Sequence, residues 1–216
     1  MKSKIICLLI CVLFIFSTVS VSFAGTFLGK TKYGWVEKEV YGNSHSSQTE
    51  VLIVGVHPRE YGFHNAMVSA LRANSKGLSK KFVIYRVHVT KTPMNYYKGR
   101  MYGQLLAQKF VVPDVKRQKP IVVVDIHENR WKASGYKYSR FLSPISKTAK
   151  TYYYANKVIK LMPYLKIYSP KGTSPKYVTK PISSSGFPTL VYETYKSDSF
   201  SKKYTDASRF IRAIDK

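Results

Sequence analysis

The sequence predicts an α/β fold: a mixed, largely parallel central sheet flanked by helices, in a single domain. Three observations carry that expectation. Apolar, β-branched runs recur at VLIVGV, PIVVVDI and PTLVY, each of strand length and reading as a buried strand. Segments with helical spacing separate them, so crossovers join the strands and their neighbours are parallel. No internal repeat is visible, and a chain of 216 residues can bury one sizeable core.

The elements follow in order. Lys2 and Lys4 precede an apolar run from Ile5 to Phe16, and Ser22 and Ala24 stand at the spacing a signal peptidase accepts. Residues 1–24 therefore read as a secretory signal, with a retained anchor as the alternative, because Ile5 to Val21 is nearly long enough to span a bilayer. No later run is that apolar, so no stable membrane span is expected once the signal is cleaved. Cys7 and Cys11, the two cysteines, both lie in this segment. Residues 25–216 can then form no disulfide, thiolate nucleophile or Cys-ligated zinc site, which leaves His, Asp and Glu as metal ligands.

Residues 25–48 offer one or two edge strands. Glu50 to Val56 is a buried strand. After HPRE, GFHNAMVSALRANSKG spaces Ala66, Met67, Ala70 and Leu71 as a helix, with Asn74 to Gly77 as its stop. KFVIYRVHV alternates like a strand with one wetter face. GRMYGQLLAQKFV is a helix that Pro113 should end, PIVVVDIHE a second buried strand, and ISKTAKTYYYANKVIKLM the longest helical pattern. A loop from Ser169 to Gly186 leads to FPTLVYET, a third buried strand, and SFSKKYTDASRFIRAID closes the chain as an amphipathic helix.

The formal charge of +25 falls only to +23 without Lys2 and Lys4, and its lysines are scattered. Scatter describes a solvated surface that attracts anionic envelope polymers in general, with no basic stripe of the kind that reads nucleic acid. Nucleic acid is therefore not an expected partner.

Each buried strand ends in ligand chemistry: His57 and Glu60 after the first, His127 in the second, Glu193 in the third. In open α/β sheets, loops at the carboxyl ends of strands converge over one crevice, so the three ends predict one site. Two imidazoles and a carboxylate leave a fourth position for water on zinc. The turn His57-Pro58-Arg59-Glu60 brings two donors to one ion, and His127 is the best third. Asp125 and His127, two apart on a strand, share a face, so Asp125 can fix the His127 ring. His64 and His88 read as structural.

GVHPRE, DIHE and PTLVYE resemble, in the same order, the three motifs of the zinc carboxypeptidase family and of the related succinylglutamate desuccinylase and aspartoacylase group. The resemblance spans about Glu50 to Thr194. It implies a zinc carboxypeptidase-like catalytic domain over 25–216, with His57, Glu60 and His127 holding zinc and Glu193 as the base that takes a proton from water and passes it to the leaving amine. It also implies an arginine near the carbonyl oxygen that becomes negative. Arg100 lies in the right interval, with Arg59 and Arg130 as rivals that would otherwise bind substrate. The chain departs from the family in one respect: no Asn-Arg pair lies between Glu60 and His127, and Asn129-Arg130 follows the third ligand instead.

Two functions follow. The first is a secreted or envelope-associated zinc hydrolase of amide or peptide bonds, acting on a peptide or N-acyl amino acid, with a cell-wall peptide as one substrate that an open cleft would suit. The second is a noncatalytic basic protein that holds envelope polymers on the same fold.

Overall fold

In the computed structural model, residues 25–170 and 176–216 are described. The expected signal, 1–24, lies outside the described residues, as does 171–175 of the expected Ser-rich loop. The strands are β1 (Thr26–Thr31), β2 (Gly34–Gly42), β3 (Thr49–Val54), β4 (Lys81–Val89), β5 (Val122–Asn129), β6 (Phe141–Pro144), β7 (Lys166–Ile167) and β8 (Thr189–Tyr195). The helices are α1 (Tyr61–Asn74), α2 (Tyr96–Leu106), α3 (Val112–Gln118), α4 (Ala149–Leu161), α5 (Thr179–Ser183) and α6 (Phe200–Asp215). Among the described residues, no helix is long and apolar enough to cross a membrane.

All the strands join one 8-stranded sheet in the order β1-β2-β4-β3-β5-β8-β6-β7. The centre, β4-β3-β5-β8, is parallel, and antiparallel pairings flank it at β2 and β6. The sheet is therefore mixed and largely parallel, as the sequence predicts. Its central strands are buried on both faces. On β3, Leu52 and Val54 pack with Phe63, Met67 and Phe210 from α1 and α6, while Val51 and Ile53 pack with Leu106, Val111 and Val115 from the segment around α2 and α3. Two apolar layers explain why β3 shows no polar alternation.

Several expectations need correction. Pro113 does not end its helix: a π turn over Ala107–Val111 carries α2 into α3, and the wider turn just ahead of Pro113 accommodates a residue that has no N–H. The helix stops instead at Lys119, whose φ of 48° is left-handed and which Pro120 follows. The loop expected over 169–186 contains α5, because Val178 and Ile182 are buried against the sheet and packing overrides the local preference of a Pro- and Ser-rich stretch. Strand β3 ends at Val54, earlier than Val56. Gly55 turns the chain off the sheet with φ of 85°, and a Cβ there would stand 2.1 Å from the Val87 carbonyl oxygen.

Candidate metal centre and its cleft

Strands β3, β5 and β8 are consecutive in the sheet and parallel, so their carboxyl ends share one edge. His127 and Glu193 are direct partners in the β5–β8 register, which sets their side chains side by side. Past β3, His57 is held extended (φ −113°, ψ 99°), as a residue before proline prefers, and a 3-10 turn over Pro58–Glu60 follows. The Glu60 N–H donates to the His57 carbonyl at 3.0 Å and folds the acid back.

The result is a carboxylate between two imidazoles. Glu60 Oε1 lies 3.0 Å from His57 Nδ1, and Glu60 Oε2 lies 2.8 Å from His127 Nδ1. The Glu128 N–H also donates to Oε2, at 3.2 Å. One ligand atom from each of His57, Glu60 and His127 lies within 4.8 Å of the others, and all three residues are buried. Burial raises the Glu60 carboxyl, but the charges of His57 and His127 outweigh it and hold the group well below the usual carboxylate range. Burial lowers His57 despite Glu60; at His127 the same penalty is overcome by Asp125 and Glu60, which hold the imidazole well above its usual value.

Three buried donors aimed at one point fit a divalent cation, because taking such groups out of water is costly unless a charge compensates them. Two nitrogens and one oxygen form a donor set that zinc accepts, and other divalent ions accept it too.

The other expected residues line one cleft with these three, a cavity of about 830 Å³. Asp125 Oδ2 lies 3.0 Å from His127 Nε2, on the side of the ring away from Glu60. Glu193 is buried; its Oε2 accepts from Asn129 Nδ2 at 3.2 Å, and burial pushes its carboxyl up to about 8. Arg100 Nη1 donates to Glu60 Oε1 at 2.8 Å, so its guanidinium rests on the carboxylate between the two imidazoles. Arg100 and Arg59 lie over the Tyr96 ring, at 5.1 and 5.9 Å. Arg130 is exposed just past the end of β5. His64 and His88 are structural: His64 Nε2 is 2.9 Å from the Ile126 carbonyl and burial pushes it down to about 4, while His88 meets Glu37 at 2.9 Å.

Sequence reasoning missed Asn129 as the partner of Glu193, and it missed Gln104, whose amide reaches His57. A signal existed for each. Asn129 continues the alternation of Asp125 and His127 along one strand face, and Gln104 stands one helical turn beyond Arg100. Glu128, on the opposite face of β5, is buried in an ion pair with Lys203, at 2.5 Å.

No protein-family model and no curated protein matches the sequence. In fold the chain is similar to several solved structures. A metallo-carboxypeptidase from Pseudomonas aeruginosa, in complex with (2-guanidinoethylmercapto)succinic acid, aligns with a TM-score of 0.59 at 13% identity, over 88% of this chain and 62% of that one. Product-bound cell shape determinant protein Csd4 from Helicobacter pylori aligns with 0.56 at 11% identity, over 83% and 54%. A succinylglutamate desuccinylase/aspartoacylase from Rhodobacter sphaeroides aligns with 0.55 at 14% identity, over 88% and 64%. The chain spans less than two thirds of each of these proteins. Their fold is the one that the three sequence motifs imply.

Proposed function

We propose that this protein is a secreted, zinc-dependent hydrolase of amide or peptide bonds, acting on a peptide or N-acyl amino acid. The observation that carries the reading is the meeting of His57, Glu60 and His127 beside Glu193 at the carboxyl edge of the sheet. Zinc, when bound there, would supply a Lewis acid and favour ionisation of water near neutral pH. His57 and His127 would present Nδ1 and Glu60 a carboxylate oxygen, while Asp125 holds the far nitrogen of the His127 ring.

Glu193 would then accept a proton from the attacking water as its oxygen bonds to the substrate carbonyl carbon. The same carboxyl returns that proton to nitrogen as the C–N bond breaks. Arg100, beside the ligand group, would supply positive charge where the carbonyl oxygen becomes negative. Arg59, Arg130 and Lys196 line the cleft and suit a carboxylate of the substrate. A cell-wall peptide combines amide bonds with free carboxylates, and the strongly basic chain, +23 without Lys2 and Lys4, suits an anionic envelope.

The test pairs metal content with turnover on wall peptides and N-acyl amino acids. Wild type should hold stoichiometric zinc, and the His57→Ala, His127→Ala double variant none. Glu193→Gln should keep the metal and lose about 10²–10⁴-fold in hydrolysis, the usual contribution of a positioned base. Undiminished hydrolysis by Glu193→Gln would overturn the mechanism.

A further inference from the structure

Helix α2 leans on the segment that carries the first two ligands. A Cβ at Gly103 would stand 2.0 Å from the Val56 carbonyl oxygen, so only glycine lets the helix backbone sit against the residue before His57. Arg100 and Gln104, one turn apart on this helix, share a face. Arg100 Nη1 donates to Glu60 Oε1 at 2.8 Å, and Gln104 Nε2 lies 3.4 Å from His57 Nε2.

The second contact sets a chemical condition. His57 Nδ1 faces Glu60, and a nitrogen that binds a cation must offer a bare lone pair, so the single ring proton belongs on Nε2. Two N–H groups cannot satisfy each other. An amide reverses its donor and acceptor by turning half a revolution, and the turned amide presents Oε1 to the Nε2 proton. Resting on the metal centre proposed above, we infer that Gln104 is a positioning residue for His57: its side-chain carbonyl accepts the Nε2 proton and so aims Nδ1 at the cation.

The two imidazoles are thereby held by unlike acceptors. His127 Nε2 has the Asp125 carboxylate at 3.0 Å; His57 has a neutral amide. A carboxylate raises ligand basicity more than an amide does, so His57 is the weaker donor, and position 104 tunes the hold on the metal.

Zinc affinity, measured by competition with a chromophoric chelator, tests this in wild type, Gln104→Leu, Gln104→Glu and His57→Ala. Thermal unfolding in excess chelator reports the fold separately. Gln104→Leu should bind zinc about 10–100-fold more weakly, the usual cost of losing such a partner, with unfolding in chelator unchanged. Gln104→Glu, which can accept the proton but donate none, should bind at least as tightly as wild type. That comparison stands even if the leucine variant fails to fold. Unchanged affinity in a folded Gln104→Leu, or a Gln104→Glu variant as weak as Gln104→Leu, overturns the inference alone. Wild-type affinity in His57→Ala overturns the metal centre and the inference with it.

Discussion

Asn129 uses both ends of its amide at the side of the candidate base. Its Nδ2 donates to Glu193 Oε2 at 3.2 Å and to the Ser139 carbonyl at 3.1 Å, and its Oδ1 accepts from the Trp131 N–H at 2.8 Å. Glu193 is thus steadied by a neutral group while burial pushes it up to about 8. Asn129→Asp would remove the donor and place a like charge there, which disfavours the ionised form and raises Glu193 further. A base works only when ionised, so the acid limb of the kcat/KM profile should move to higher pH, with zinc affinity little changed. An unmoved limb in the pH profile would separate Asn129 from the base. The candidate site is legible in the sequence because imidazoles and carboxylates at the ends of apolar runs need a reason to be there. His57, Glu60, His127 and Glu193 announce themselves in this way. Gln104 carries no charge and reaches the centre only because Gly103 lets a helix lie close, a packing result that no local pattern encodes.

At the scale of elements, β5 works on both faces. Asp125, His127 and Asn129 face the cleft, while Glu128 faces α6 and meets Lys203 Nζ at 2.5 Å. Lys203 Nζ also donates to the Lys196 carbonyl at 2.8 Å, and Lys196 Nζ in turn donates to the Arg59 carbonyl. Helix α6 thereby ties together β5, the segment after β8 and the turn that carries Glu60. Both partners of the Glu128–Lys203 pair are buried, with side chains 1% and 6% exposed. Lys203→Met should leave Glu128 as an unpaired buried acid and destabilise the protein by about 3–5 kcal/mol in urea unfolding. Adding Glu128→Gln should recover part of the loss; a Lys203→Met variant as stable as wild type would show that the pair holds nothing. The buried strands and α6 are legible from their apolar spacing. Strand β6 is not: FLSP is four residues long, ends in proline, and is a strand because β8 pairs with it on one side and β7 on the other. Pro113 misleads because a π turn just ahead of it lets the helix run through, and the sequence does not show that wider turn.

Across the whole molecule, the polar burden divides between the two ends of the sheet. The carboxyl end holds the cleft. At the opposite end Glu50, near the start of β3, is fully buried, and neither carboxyl oxygen has a hydrogen-bond partner among the described residues. Lys80 Nζ, 3.9 Å away, donates instead to the Ile214 carbonyl at 3.3 Å, and Lys157 Nζ donates to the same oxygen at 3.4 Å, at the end of α6. Burial therefore dominates and pushes Glu50 up to about 8 from 4.5, with Lys80 offsetting only part of it. For an acid whose folded value is raised, the unfolded chain releases its proton first as pH climbs. The stability tied to the protonated form is complete below about 4.5 and is lost progressively as pH rises towards about 8. Glu50→Gln keeps the shape and cannot ionise. The stability difference between variant and wild type, from urea unfolding in chelator, should move in favour of the variant between those two pH values, by on the order of a few kcal/mol. Any cost of burying the amide is the same at every pH, so it shifts both measurements equally and leaves the slope to report Glu50. A difference that does not vary with pH would mean that Glu50 is ionised throughout and that Lys80 compensates it fully in the folded protein.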